Sequence, residues 1–333
     1  MPLDPTPTRT RRRHLARAAW LAAALVAAAG GSLAADPGDH DQLMLELLNR
    51  ARLDPVAEAA LHGVDLDEGL APGTIPPDPV APLAFDERLM DAAIDHTDWM
   101  LASNVFSHTG AGGSEFWQRI EAAGYLPWLT VGENLAWRGT SGTLGEATIL
   151  GFVHQLHADL FLSPGHRQNL LAPLFKEVGV GTDWGPFAPQ GTTWNSVVTS
   201  HDFGAQSLGP AILTGVVFDD LDLDAFYTPG EGWGGVGLVA RRHSDGATYA
   251  TVTWASGGYA MDLPSGTYDV TAQGSGVGPE TVANVWVGID NVKVDFVLPE
   301  PGRAEGLAAG LVLLALLSRL RPPTPRSGSA HRA

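Results

Sequence analysis

The apolar residues of this chain change their period near Pro173, and that change limits the fold more than any other feature of the sequence. Upstream they recur at three and four. From Asp39 to about His62, Leu43, Met44, Leu47, Leu48 and Ala51 trace one helical stripe, and Asp54-Pro55 reads as a cap and first-turn proline that restart the chain as a second helix. Residues 63–82, rich in Pro, Gly and Asp, read as a loop. The spacing predicts a third helix over 86–103, with His96 on its apolar stripe, where a hydrogen-bonded core histidine is the expected role. A shorter helix follows Ser114 and stops at Gly124, and another covers 143–162. Downstream the period is two, in Val178 and Val180 and from Thr193 to Phe203, which predicts strands. Helices followed by such strands indicate an α+β fold in which helices cover an antiparallel sheet. Beyond a linker at Gly204–Pro210, short alternating segments (Val216–Phe218, Val236–Ala240, Tyr249–Trp254, Gly266–Ala272, Val285–Val297) make residues 211–298 a small all-β sandwich.

The two ends differ from this body. Arg9, Arg11, Arg12, Arg13 and Arg17 precede an apolar run from Ala18 to Ala29, and Ser32-Leu33-Ala34 supplies the small residues of an export cleavage site. Residues 1–34 therefore read as a secretory signal peptide. At the other end, Pro299-Glu300-Pro301 leads into the apolar run Gly306 to Leu317 and then Arg319, Arg321 and Arg326. A run of that length rises only about 18 Å against a hydrocarbon core of about 30 Å, which suits transient membrane contact better than a permanent span. The order of these features in residues 299–333 resembles PEP-CTERM sorting tails. That resemblance implies exosortase-type sorting machinery as a partner, membrane anchoring before processing, and delivery to the outer surface or the extracellular space.

Ten of the twenty Lys and Arg lie in these ends, leaving ten basic residues against thirty-five acidic between residues 35 and 301, a net charge near −25. Such a surface repels phosphate backbones, which argues against nucleic acid as a partner, and attracts cations. The chain has no cysteine. An exported protein without disulfides has to be held by burial and bound ions.

Five segments carry the chemistry of the first part: "LLNRARLDP" (47–55), "NVFSHTGAGGSEFWQRIEAAGY" (104–125), "GENLAW" (132–137), "SPGHRQNLLAPLFKEVGVG" (163–181) and "VVTSHDFG" (197–204). In this order and spacing they resemble the CAP superfamily, the SCP-like extracellular domain. The resemblance implies a three-layer α-β-α sandwich over residues 39–204 and a central cleft shared by His108, Glu133 and His166. Ser163 and Pro164 are placed as N-cap and first helical residue, so His166 falls in a first turn, where the helix terminus disfavours imidazolium. Two histidines and a carboxylate could hold zinc or another divalent metal with an open position, or Glu133 could act as a general base on bound water. A polar network that only organises the cleft is the competing reading. Many CAP domains carry a further acidic residue on the helix before the Gly-His pair; here that helix offers His154, His157 and Asp159, and structural roles are expected for the histidines. Asn134 and Arg167 read as loop braces and Asn104 as turn structure. No cysteine and no Gly-x-Ser-x-Gly elbow supports nucleophilic catalysis.

In the second part, "DLDLDAFYTPGE" (220–231) places Asp220, Asp222, Asp224, the Phe226 carbonyl, Thr228 and Glu231 at the spacing of a calcium loop. Ala225 stands where such loops carry glycine, and strands rather than helices flank it. The segment resembles calcium-binding repeats of bacterial surface adhesins. Calcium there would stiffen the fold. Together these readings describe an exported, surface-directed protein whose His/Glu cleft binds a metal ion or a small-molecule, lipid or protein ligand beside a calcium-stabilised β-sandwich. The alternatives are a zinc-dependent, peptidase-like hydrolase using Glu133 as base, and a structural component of an extracellular matrix.

Overall fold

A computed structural model describes residues 36–206 and 209–298; the signal-peptide and sorting-tail readings fall outside the described residues. The α+β expectation holds, with an α-β-α sandwich followed by a β-rich half. The first half opens with α1 (Asp39–Leu53) and α2 (Pro55–His62), separated as expected at Asp54, whose carboxylate accepts from the Ala57 amide at 2.9 Å. After the loop come β1 (Ala84–Phe85), α3 (Glu87–Ser103), α4 (Phe116–Ala122), β2 (Trp128–Thr140), α5 (Glu146–Leu162), α6 (Pro164–Leu170), β3 (Glu177–Phe187) and β4 (Trp194–Gln206). The sheet order is β1-β3-β4-β2, antiparallel except for the β1–β3 pair, which leaves β2 at an edge.

Alternation along the strands sorts the layers. Val178 and Val180 of β3 face Leu43, Met44 and Leu47 of α1, in the core that α5 and α6 complete. Gly179 and Gly181 face α3, and a Cβ on either would stand 2.0 Å and 2.6 Å from the backbone of Leu89 and Ala93. The Val-Gly-Val-Gly run thus packs a helix on one face with side chains and on the other with none, bringing α3 onto the sheet. Two elements differ from the sequence reading. The Gly-Glu-Asn-Leu-Ala-Trp segment, which carries no alternation of its own, is part of strand β2, and β4 runs through to Gln206, shortening the predicted linker.

The β-rich half comprises β5 (Ala211–Asp219), β6 (Gly237–Arg242), β7 (Thr248–Val252), β8 (Gly258–Leu263), β9 (Gly266–Gly274), β10 (Val277–Val287), β11 (Val292–Lys293) and β12 (Phe296–Leu298). One sheet has the order β10-β9-β6-β7; in the other, β5 pairs with β8, β11 and β12. Leu213, Val217, Leu238, Tyr259, Tyr268 and Val270 fill the space between them. The predicted Val285–Val297 strand is broken into three pieces, because Asn291 turns in to bridge the halves: its Nδ2 donates to the carbonyls of Pro82 and Lys176, at 3.1 and 2.6 Å.

The two halves share a core. Val216, Phe218 and Tyr227 pack with the α1 cluster, and Lys293 forms a buried ion pair with Glu46 at 2.7 Å. Burial raises the Glu46 carboxyl, against the opposing pull of Lys293. A buried ion pair costs desolvation that hydrophobic residues would not, so this one is better read as fixing register between the halves than as a source of stability.

Candidate functional site

Strand β2 carries Glu133 on the α3 side of the sheet edge, 5% exposed. His108 donates from Nδ1 to Oε1 at 2.6 Å, and the Arg119 guanidinium donates to Oε2. Arg119 comes from α4 and also donates to the carbonyls of His108 and Ser114, each at 3.0 Å, so one side chain both neutralises Glu133 and ties down the loop that presents His108. His96 on α3 stands 3.9 Å from Oε2 and donates from Nε2 to the Ser107 carbonyl at 2.9 Å, the hydrogen-bonded core role expected for it. Burial lowers the His96 pKa more than the Glu133 charge raises it.

With Nδ1 of His108 bonded to Glu133, Nε2 is the ring nitrogen left for another partner, on a side chain that is 54% exposed. A carboxylate behind an imidazole fixes the tautomer and makes the outer nitrogen a better acceptor or ligand. Glu133 itself has both oxygens engaged. Its place is behind His108, and as a base it would have to give up Arg119 first. The Ser107 hydroxyl accepts from the Thr109 amide at 3.0 Å.

His166 lies in the first turn of α6, half-buried, after Ser163, which holds the N-cap position but makes no side-chain capping bond, and Pro164. Its carbonyl accepts from Asn134 Nδ2 at 3.1 Å, and Asn169 donates to Asn134 Oδ1 at 2.9 Å, which fastens α6 to β2. The imidazole pKa is lowered, as the sequence suggested, with burial as the main cause and the neighbouring His108 as the second. Arg167 is a brace as expected: fully buried, it donates to the carbonyls of Leu66, Phe161 and Leu162 at 2.9, 2.8 and 3.2 Å, and to that of Glu68. Asn104 caps α3 in a left-handed conformation (φ 56°) and accepts from the Ala188 amide at 2.8 Å.

Several functional-looking groups escaped the sequence reading. Asp202 pairs across the ladder with Glu133, is fully buried, and neither carboxylate oxygen has a hydrogen-bond partner among the described residues. Burial, then the Glu133 charge, pushes its carboxyl well up, which favours the protonated form. Its neighbour His201 faces the opposite layer, equally buried and unpartnered, and burial brings its pKa down to about 3. On that side Glu58 binds Arg50 through both oxygens, at 2.7 and 2.8 Å, and Oε1 also receives Nε2 of His62 at 3.0 Å and of His157 at 2.8 Å. Burial opposes ionisation of Glu58, but the Arg50 and His157 bonds outweigh it and hold the carboxyl below its usual range. His154 is exposed, so the two α5 histidines do not converge. The Glu58–His62 spacing of four on one helix was the available signal.

Among the described residues, three donors approach within 4.8 Å of one another in the sets Glu58, His62, His157 and Asp220, Asp222, Asp224. The His108, Glu133, His166 trio is neither of these. A cleft metal would therefore rest on the imidazoles, with Glu133 orienting one of them. In the acidic loop, Asp220 accepts from the amides of Asp224 (3.0 Å) and Ala225 (3.1 Å), Asp224 from that of Phe226 (2.7 Å), and Asp222 from the Thr228 hydroxyl (3.2 Å). Buried Glu231 accepts from the Leu221 and Thr228 amides, both at 2.8 Å. Ala225 adopts φ 60°, so the left-handed turn that glycine usually supplies at this loop position is made by alanine. Burial and the charges of Asp222 and Asp220 raise the Asp224 carboxyl.

Comparison with known proteins places the first half. Residues 45–185 match the family model CAP, described as the cysteine-rich secretory protein family. No curated protein matches the chain. Similar solved structures include an extracellular SCP-domain protein of Bacillus anthracis, 24% identical over 38% of this chain and 35% of its own, TM-score 0.29. An outer surface protein of Borrelia burgdorferi is 14% identical over 52% of this chain and 96% of its own, TM-score 0.33. A venom allergen-like protein of Schistosoma mansoni is 11% identical over 50% and 88%, TM-score 0.29. The chain thus spans about a third of the length of the Bacillus protein.

Proposed function

We propose that this chain is an exported binding protein whose CAP-type domain captures a divalent metal ion or a small ligand at the sheet edge through His108 and His166. The observation that carries the reading is the 2.6 Å bond from His108 to a carboxylate that Arg119 already neutralises. That arrangement leaves Nε2 as the ring nitrogen of His108 available to a ligand. It supports binding over hydrolysis, because Glu133 would surrender a buried ion pair before it could take a proton from water. His166, kept neutral by burial, supplies a second imidazole acceptor.

Export rests on the arginine-rich start followed by an apolar run, and surface delivery by sorting machinery on the order of features after residue 298. The acidic loop completes the reading. It takes up calcium through Asp220, Asp222 and Asp224, with the Phe226 carbonyl, Thr228 and Glu231 at the remaining loop positions, and stiffens the β-rich half.

Equilibrium dialysis against zinc, read by elemental analysis, tests the cleft. One equivalent bound by the wild type and lost in His108→Ala and His166→Ala supports the reading, with Ser107→Ala as control. Zinc retained in both histidine variants, or hydrolysis of a peptide library abolished by Glu133→Gln, defeats it.

A further inference from the structure

The start of α3, the start of β3 and strands β7 and β8 enclose a cavity of about 600 Å³ between the two halves. Its volume and its place at a domain junction are those of small-ligand sites. Its lining includes the acidic Asp86, Glu177 and Asp262 and the aromatic Tyr249 and Trp254. Phe85, also in the lining, forms a T-shaped pair with Trp254, and Tyr268 forms one with Tyr249, each at 6.0 Å between centroids.

The cations lining the cavity already have partners. Arg88 binds Asp86 through Nε at 3.1 Å and Nη2 at 2.6 Å and lies 4.9 Å over the Tyr125 ring, while Lys176 donates to the Ile289 carbonyl at 2.7 Å. Tyr125 donates to Glu177 Oε2 at 2.6 Å. Glu177 is nevertheless pushed up to about 7, by burial first and then by the charges of Asp86 and Asp262. Asp262 is raised for the same reasons, burial and then Asp86. The three carboxylates line one cavity, and the Arg88 charge offsets only part of their effect on one another.

We propose that this interdomain cavity binds a small organic cation, an amine or guanidinium on an aromatic or apolar body, with its charge against Glu177 and Asp262 and its body against Tyr249 and Trp254. A cation relieves the carboxylate repulsion and gains from the ring faces, whereas a neutral polyol leaves the repulsion in place and an anion adds to it. Binding removes the proton from Glu177, so affinity falls as the pH drops below about 7 and complex formation near neutrality releases protons.

Titration calorimetry of the full chain with tyramine and spermidine, in two buffers of different ionisation enthalpy at pH 7, tests this. The expected result is tyramine binding with net proton release, weakened about tenfold or more in Asp262→Asn and in Glu177→Gln, the equivalent of at least ~1.4 kcal/mol for each charge removed. A melting temperature of Asp262→Asn equal to that of the wild type is the check that this variant reads the site and not the fold. No heat from either amine, binding indifferent to both substitutions, or displacement of tyramine by glucose would overturn the assignment.

Discussion

At the edge of the first sheet Glu133 is buried, yet its oxygens are taken by Arg119 and His108; in the loop after β5, three aspartates come within 4.8 Å with only amides and a hydroxyl to answer them. Both regions concentrate negative charge in a chain rich in it. The cleft carries its own counter-charge, while among the described residues no side-chain cation pairs with the loop aspartates. Charge supplied by a side chain makes a site that presents an imidazole. Charge left open makes a site whose stability depends on what binds.

The sharpest way to break this contrast is Arg119→Met. Removing one partner of a buried pair leaves Glu133 uncompensated and is expected to cost about 3–5 kcal/mol in urea unfolding. Arg119→Met combined with Glu133→Gln recovers much of that loss; equal losses in the single and double variants would show that the pair does not carry the cleft. For the loop, calcium at about a hundredfold over its dissociation constant is expected to add about 2.7 kcal/mol, and to add nothing in Asp222→Asn. A melting temperature unmoved by millimolar calcium removes the loop from the comparison.

Acid separates the two faces of β4. His201 stays neutral when folded to about pH 3 but protonates near 6.5 when unfolded, so its contribution to stability falls as pH drops through that window. Asp202 acts in the opposite sense, because its raised carboxyl favours the folded state at low pH and penalises it as pH rises above 3.8. His201→Leu should flatten the acid limb by up to about 1.4 kcal/mol per pH unit, measured as unfolding free energy between pH 6.5 and 4.5. The smallest effect is expected from His108→Ala, about 0.5–1.5 kcal/mol, since that partner of Glu133 is half in water. A loss larger than that of Arg119→Met would reverse the roles assigned to the two.

Helices α1, α3 and α5 were legible because their apolar residues recur at three and four, and Asp54-Pro55 marked a boundary that the Asp54 cap realises. Strand β2 was not, because Gly-Glu-Asn-Leu-Ala-Trp places Glu133 on a buried face where alternation predicts an apolar residue. His108, Glu133 and His166 were picked out from local motifs. Arg119 was missed: nothing in the sequence of α4 tells a salt-bridging arginine from a solvated one until the helix is docked.

The amino-acid sequence alone determined the change from helical to strand period, the acidic balance, the cap that puts His166 in a first turn, and the spacing of the 220–231 loop, because each of these depends on residues close together in the chain. Only the tertiary structure decided that Glu133 faces Arg119 rather than open solvent, that Asp202 and His201 are buried on opposite faces of one strand without hydrogen-bond partners among the described residues, and that Asp86, Glu177 and Asp262 share a cavity. The reason is physical: the state of a charge is set by its burial and by whichever charges folding brings beside it, and those come from distant parts of the chain.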